Sequence, residues 1–259
     1  MKNQTKKVSK LLEGLHQSGK KGVAWLVDPD KIEDGNELLS EFSWIKSSSL
    51  DLILVGGSHI SKDNFSEVIR KLQLFFEDIP IVIFPGSQMQ LSAEADAILF
   101  LSLLSGRNPE YLIGHQVTAA PLVQKIGLEV LPTGYVLVND GEMASVHHVS
   151  QTFPLPNAKP ELVEATVLAG KFLGMKFFFL DAGSGVKTPV STEVIQRVKK
   201  AVNLPLIVGG GLDTLDKCKM AFKGGADLLV IGNAIEKDPS FLAGVLAYKE
   251  AKNLSLHVN

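Results

Sequence analysis

Apolar, β-branched runs alternate with amphipathic segments from one end of the chain to the other. The runs are Gly22–Val27, Leu52–Val55, Ile79–Phe84, Ala97–Leu101, Glu129–Val138, Lys176–Leu180, Leu204–Val208 and Leu228–Ile231. They lack strong two-residue alternation, as expected of parallel strands covered on both faces. Between them the spacing predicts helices over Ser61–Phe76, Pro109–Ile126, Lys159–Leu173, Ser191–Val202, Asp213–Lys223 and Pro239–Ala251. A further helix over about residues 3–18 would turn Leu11, Leu12 and Leu15 inward. Ser61 or Asp63, Ser191 or Thr192, and Asp213 are candidate caps. Eight such runs predict a single (β/α)8 barrel of the TIM type, undivided by any linker. Two places break the rhythm. Pro85–Asp96 is too short for a full crossover helix, so the third helix is missing or reduced. Asn139–Asn157 is polar and proline-bearing and reads as a long loop on the catalytic face, where a lid would lie.

Composition narrows the function classes. At 259 residues and 45% hydrophobic the chain can fill one barrel, which takes about 250 residues. A net charge of −2 argues against nucleic acid as the main partner. The lysines of Lys6–Lys21 read as a solvated helix face. Cys218 is the one cysteine, which excludes an internal disulfide or cysteine-zinc framework. The opening residues lack the apolar core of a signal peptide, and no apolar stretch reaches the roughly 18 residues of a membrane span. The expectation is a cytoplasmic protein.

Candidate chemistry gathers at strand ends. Asp181-Ala182-Gly183-Ser184-Gly185, Gly209-Gly210-Gly211 and Gly232-Asn233 each follow a late apolar run. Glycine turns there let backbone N–H groups close around one phosphate. Asp28-Pro29-Asp30-Lys31 follows the first strand, and Gly56-Gly57-Ser58-His59 follows the second. Asp28 with Ser58 is a candidate oxygen set for Mg²⁺; equally, Asp28 or Asp30 caps a turn. Asp181 is placed to orient or deprotonate a hydroxyl, or to cap its own turn. Arg107 is open to a diphosphate or to a structural ion pair. No histidine shows metal-ligand spacing, and His147-His148 are expected to be exposed. Neither an acyl-transfer triad nor a dinucleotide or P-loop fingerprint is present.

The ordered set Leu26–Lys31, Val55–Ser58, Phe84–Ser87, Ser105–Leu112, Leu180–Gly185, Gly209–Gly211 and Gly232–Ala234 resembles geranylgeranylglyceryl phosphate synthases and the related heptaprenylglyceryl enzymes. The resemblance runs nearly the length of the chain, and the Arg107–Leu112 block favours the geranylgeranyl branch. It implies a barrel whose third helix is replaced by an extended segment. It implies transfer of a long isoprenoid from its diphosphate to the C3 hydroxyl of sn-glycerol 1-phosphate, releasing pyrophosphate. By resemblance Asp28 and Ser58 hold Mg²⁺, while Phe179, Leu180, Asp181, Ala182, Gly183, Ser184 and Gly185, with Gly210, Gly211, Gly232 and Asn233, hold glycerol phosphate. A dimer or hexamer, and contact with a membrane surface through the lipid product, are also implied. Phe179 stands where the family usually has tyrosine, and Asp181 where glutamate is frequent. Another sugar-phosphate barrel enzyme, or a non-catalytic binder of prenyl or glycerol phosphates, remains an alternative.

Overall fold

A computed structural model describes residues 8–32, 40–57, 60, 62, 64–87 and 90–256. The apolar runs become strands β1 (Gly22–Val27), β2 (Leu52–Val55), β3 (Ile81–Ile83), β4 (Ala97–Leu103), β5 (Glu129–Leu137), β6 (Phe177–Asp181), β7 (Leu206–Gly209) and β8 (Leu228–Ile231). They pair in parallel in chain order and close into a barrel, with Ala24 beside Leu52 at one edge of β1 and Gly22 beside Leu228 at the other. The expected TIM-type barrel is therefore the fold. The strands shift by a residue or two from the runs that predict them. Asp181 and Gly209 become the last residues of β6 and β7, which brings both onto the barrel rim.

The helices are α1 (Val8–Ser18), α2 (Phe65–Phe75), α3 (His115–Ile126), α4 (Ser145–Ser150), α5 (Pro160–Phe172), α6 (Thr192–Val202), α7 (Leu215–Gly224), α8 (Asn233–Lys237) and α9 (Ser240–Ser255). A π turn over Glu110–Gly114 leads into α3. The described residues between β3 and β4 contain no helix, as the short gap there requires. The Asn139–Asn157 stretch departs from a plain loop. It carries α4 and returns to the barrel through a parallel bridge between Val138 and Leu155. Ser191 caps α6 by accepting the Val194 N–H. Thr214, not Asp213, caps α7, because Asp213 pairs instead with Lys217 one turn on. The proposed caps Ser61 and Asp63 lie outside the described residues.

Strand alternation sorts the apolar residues into two layers. Leu52, Leu54, Val82, Leu99, Leu131, Phe177, Phe179 and Ile207 fill the barrel interior. Ile53, Val55, Ile81, Ile83, Phe178, Leu180 and Val208 pack outward against the helices. Helix α1 stoppers the N-terminal end of the barrel, inserting Val8, Leu12 and Leu15 into the inner layer. Its N-terminus is fixed by Glu129 at the foot of β5, whose carboxylate accepts the Val8 and Ser9 N–H groups at 2.7 and 3.1 Å. Those amides have no partner inside the helix.

A related device recurs around the same end. Asp51, Asp96 and Asp227 each immediately precede a strand and accept the first unpaired N–H groups of the strand before it. Their partners are Val23, Ile81 and Leu206, each at 2.8 Å. These carboxylates close the feet of the parallel ladder and leave the opposite rim free for chemistry.

Replacing Glu129 by alanine orphans the N-terminal amides of α1, and the expected loss is about 1–3 kcal/mol. Urea unfolding of Glu129→Ala against the parent measures it. An unchanged midpoint would remove this carboxylate from the account of how the stopper is held.

Candidate functional site

At the C-terminal rim, a cavity of about 360 Å³ is lined by residues from both halves of the barrel. Asp28 and Lys31 from the end of β1 face Ser184, Gly185, Gly210, Gly211, Gly232 and Asn233 from the turns after β6, β7 and β8. Phe179, Tyr135 and Asp181 form part of its floor. The expected phosphate turns and the expected carboxylate thus share one opening. Ser58 lies outside the described residues.

The turns meet because their backbones touch. Gly210 has φ +77°, and a Cβ there would lie 2.5 Å from Asp181 Oδ1 and 2.6 Å from the Gly183 nitrogen. Only glycine permits both the dihedral and the approach. Not every residue of the first turn reaches the cavity. Leu180 and Ala182 are buried in the outer layer, among the helices. The Gly183 N–H is committed to Asp181 Oδ1 at 2.8 Å. Ser184 and Gly185 carry the turn's exposed edge, with the Ser184 hydroxyl donating to Asn233 Oδ1 at 3.2 Å.

The segment after β5 acts as a buttress for this turn. Glu142 accepts the Lys187 and Thr188 N–H groups at 2.9 and 3.0 Å, and Asn139 donates to the Ala182 carbonyl at 2.8 Å. Asn157 ties the far end by accepting the Ser191 N–H at 2.7 Å. His148 is exposed as expected, but His147 is buried. Its ring packs against Gly183, and its Nδ1 accepts the Ala144 N–H at 2.8 Å. In the neutral ring Nε2 then carries the proton; it is buried with no partner among the described residues. Burial holds the imidazole below the usual histidine range, against the charge of Asp181.

Asp181 is the centre of the floor. Oδ2 accepts the Tyr135 hydroxyl while Oδ1 accepts Gly183. Burial raises its carboxyl above the ordinary range, opposed by the hydrogen bonds from Tyr135 and Gly183. Burial also drives the Tyr135 phenol well up, and the Asp181 charge adds to it, so Tyr135 remains a donor. Asp181 holds its proton to higher pH folded than unfolded, and its contribution to stability falls as pH rises between those two values. Phe179 reaches no polar partner. It stacks on Phe84 with centroids 5.2 Å apart and meets Tyr135 edge-on.

Asp28 is partly buried at the rim. Burial raises its carboxyl, opposed first by the Asp30 N–H on Oδ1. A Cβ on Gly57 would touch the carboxylate at ordinary contact distance, 3.4 Å from that oxygen, so bare backbone at the end of β2 stands beside it. A partly desolvated carboxylate next to bare backbone suits a hard divalent cation that keeps water and phosphate ligands. Among the described residues no group of three His, Cys, Asp or Glu side chains forms a cage. Gln90 braces this region by accepting the Gly86 N–H and donating to the Gly57 carbonyl, at 2.9 and 3.0 Å. Arg107 turns back on its own loop and donates to the carbonyls of Leu104 and Gly106.

The cavity continues past the rim. Leu99, Leu101 and Leu103 line it on the inner face of β4, while Ile98, Phe100, Leu91 and Ala119 line it beyond the outer face. Leu91 from the β3–β4 segment and Ala119 from α3 border that apolar extension. Tyr135, Gln90, Glu142 and His147 carry no motif, and only the inward register of β5 gave Tyr135 a sequence signal.

A profile of the PcrB family matches residues 18–250. A geranylgeranylglyceryl phosphate synthase of Spirosoma linguale is 44% identical over 236 residues, spanning 90% of this chain and 92% of its own. The enzyme of the same name from Flavobacterium johnsoniae is 46% identical over 241 residues, covering 90% and 98%. A crystal structure of (S)-3-O-geranylgeranylglyceryl phosphate synthase from Thermoplasma acidophilum, in complex with its substrate sn-glycerol-1-phosphate, superposes with a TM-score of 0.81. It is 30% identical and covers 91% of this chain and 96% of that one.

Tyr135→Phe removes a bond to the ionised form of Asp181, so the carboxyl should titrate at higher pH than in the parent. Carbon-detected NMR of the aspartate carboxyls follows that titration. A shift toward lower pH, or none, would contradict the assigned balance between burial and hydrogen bonding.

Proposed function

Because the chain belongs to the PcrB family, we propose that it transfers a geranylgeranyl group from geranylgeranyl diphosphate to the C3 hydroxyl of sn-glycerol 1-phosphate, with Mg²⁺. The observation that carries this is the single opening. Glycine turns suited to phosphate, a carboxylate suited to a cation and an apolar channel all face one cavity. A sugar-phosphate isomerase needs the first of these but has no use for a long apolar channel.

In the proposed reaction, Ser184, Gly185, Gly210, Gly211, Gly232 and Asn233 hold the phosphate of the acceptor. Glycine at these turns lets backbone N–H groups approach its oxygens. The isoprenoid chain lies along β4, with Leu99 and Leu101 on one side and Phe100 and Ala119 on the other. Asp28 would hold Mg²⁺, with Ser58 its proposed second ligand. When bound there, the ion supplies positive charge to the pyrophosphate oxygens. The bond between C1 of the allylic chain and its diphosphate oxygen breaks, and the electron pair departs with pyrophosphate. The glycerol C3 oxygen forms the ether bond to C1, and its proton passes to Asp181. Tyr135 and Gly183 fix that carboxylate while leaving it lone pairs for the hydroxyl. Phe84 and Phe179 make the floor apolar and keep competing water from the reacting carbon.

Incubation with labelled sn-glycerol 1-phosphate, Mg²⁺ and prenyl diphosphates of graded length tests the assignment directly. The expected product is the geranylgeranyl ether; binding of both reactants without product would leave only a binder. Asp28→Asn should keep the fold and lower Mg²⁺-dependent turnover about a hundredfold or more, the scale of one lost contact to developing charge. Asp181→Ala should reduce kcat more than affinity for glycerol phosphate. An effect confined to affinity would demote that carboxylate to a binding group.

A further inference from the structure

Lys31 lies where the two halves of the opening meet. It ends the short turn Pro29–Lys31 after β1, and its ammonium reaches across the barrel seam to α8. There it donates to Asn233 Oδ1 at 3.0 Å and to Glu236 Oε2 at 2.8 Å, and it stands 3.8 Å from Asp28 Oδ2. The side chain is 47% exposed and lines the cavity, so the pairing with Glu236 is not a core element. An exposed pair of this kind adds little stability. Its more consequential effect is positional, because it parks a cation at the rim between the phosphate turns and Asp28.

Building on the synthase assignment above, we propose that Lys31 is a direct cationic contact for the diphosphate of the prenyl donor, held in position by Glu236 and Asn233. The Asn233 amide oxygen is shared, accepting from Lys31 at 3.0 Å and from the Ser184 hydroxyl at 3.2 Å. Ser184 belongs to the acceptor-side turn, whereas the Lys31 ammonium also stands 3.8 Å from Asp28 Oδ2. Lys31 therefore belongs to the Asp28 side of the cavity. An ammonium there offers three donors, of which Glu236 and Asn233 take two in the absence of an anion. Departing pyrophosphate gains negative charge, and a fixed ammonium beside it strengthens as that charge develops. Glu236 is a positioning residue, acting only through Lys31.

Calorimetric titration in EDTA buffer, with inorganic pyrophosphate and separately with sn-glycerol 1-phosphate, isolates the chain's own contacts. Lys31→Met should weaken pyrophosphate binding about tenfold or more, the scale of one charge-assisted hydrogen bond. Glycerol phosphate affinity should stay within about twofold, which also shows that the variant is folded. Lys31→Arg should retain most of the pyrophosphate binding. Glu236→Gln should raise KM for geranylgeranyl diphosphate while leaving glycerol phosphate affinity unchanged. Parent protein that binds glycerol phosphate but no pyrophosphate, or a Lys31→Met variant that binds both like the parent, overturns this role and leaves the synthase assignment standing. Equal loss of both anions in Lys31→Met also overturns it, making the lysine a general anion contact. Parent protein that binds neither anion overturns both.

Discussion

The buried carboxylate of Asp181 is the interaction on which the rim is organised. A carboxylate in an apolar floor is costly unless its oxygens are satisfied, and here Tyr135 and the Gly183 N–H supply that satisfaction. The same two bonds fix the direction of the glycine turn after β6, because its backbone must bend to deliver that N–H. Gly210 then packs directly on the carboxylate, so the second turn is placed by contact with the first. Electrostatics, turn geometry and strand register are therefore one constraint seen from three sides.

The two ends of the barrel divide the work. At the foot, Asp51, Asp96, Asp227 and Glu129 satisfy the amides that parallel strands and α1 leave unpaired, and α1 closes the bore. Rigidity there allows irregular backbone at the rim. The lack of a helix among the described residues between β3 and β4 follows the same logic. A gap in the outer layer would expose β4, and the chain turns that exposure into an apolar extension of the cavity. A hydrophobic channel beside a polar rim suits a reactant with a lipid tail and an ionic head.

The segment after β5 shows what composition leaves out. It was expected as a long loop on the catalytic face, and Ser145, Val146 and Val149 do line the cavity, but it carries α4, and Asn139, Glu142 and Asn157 spend their side chains on the backbone of the neighbouring turn. His147 is buried for the same reason: α4 folds the histidine under Gly183. Polarity along a sequence cannot distinguish a group that faces water from one that satisfies a distant amide.

What the sequence settled by itself was the periodic part. Uninterrupted apolar runs define parallel strands, their spacing defines the barrel, and the short gap after the third run excludes a full helix. The glycine turns were legible too, and the fold brings them to one opening. Only the tertiary structure decided which members of a motif face the cavity. Leu180 and Ala182 turn outward while Phe179 and Asp181 turn inward, because side chains alternate along a strand and the barrel fixes which parity is inside. It also brought Lys31 to Asn233 and Glu236 across some two hundred positions, a contact that exists because the barrel closes β8 onto β1. Local pattern encodes elements; closure of the sheet creates the site.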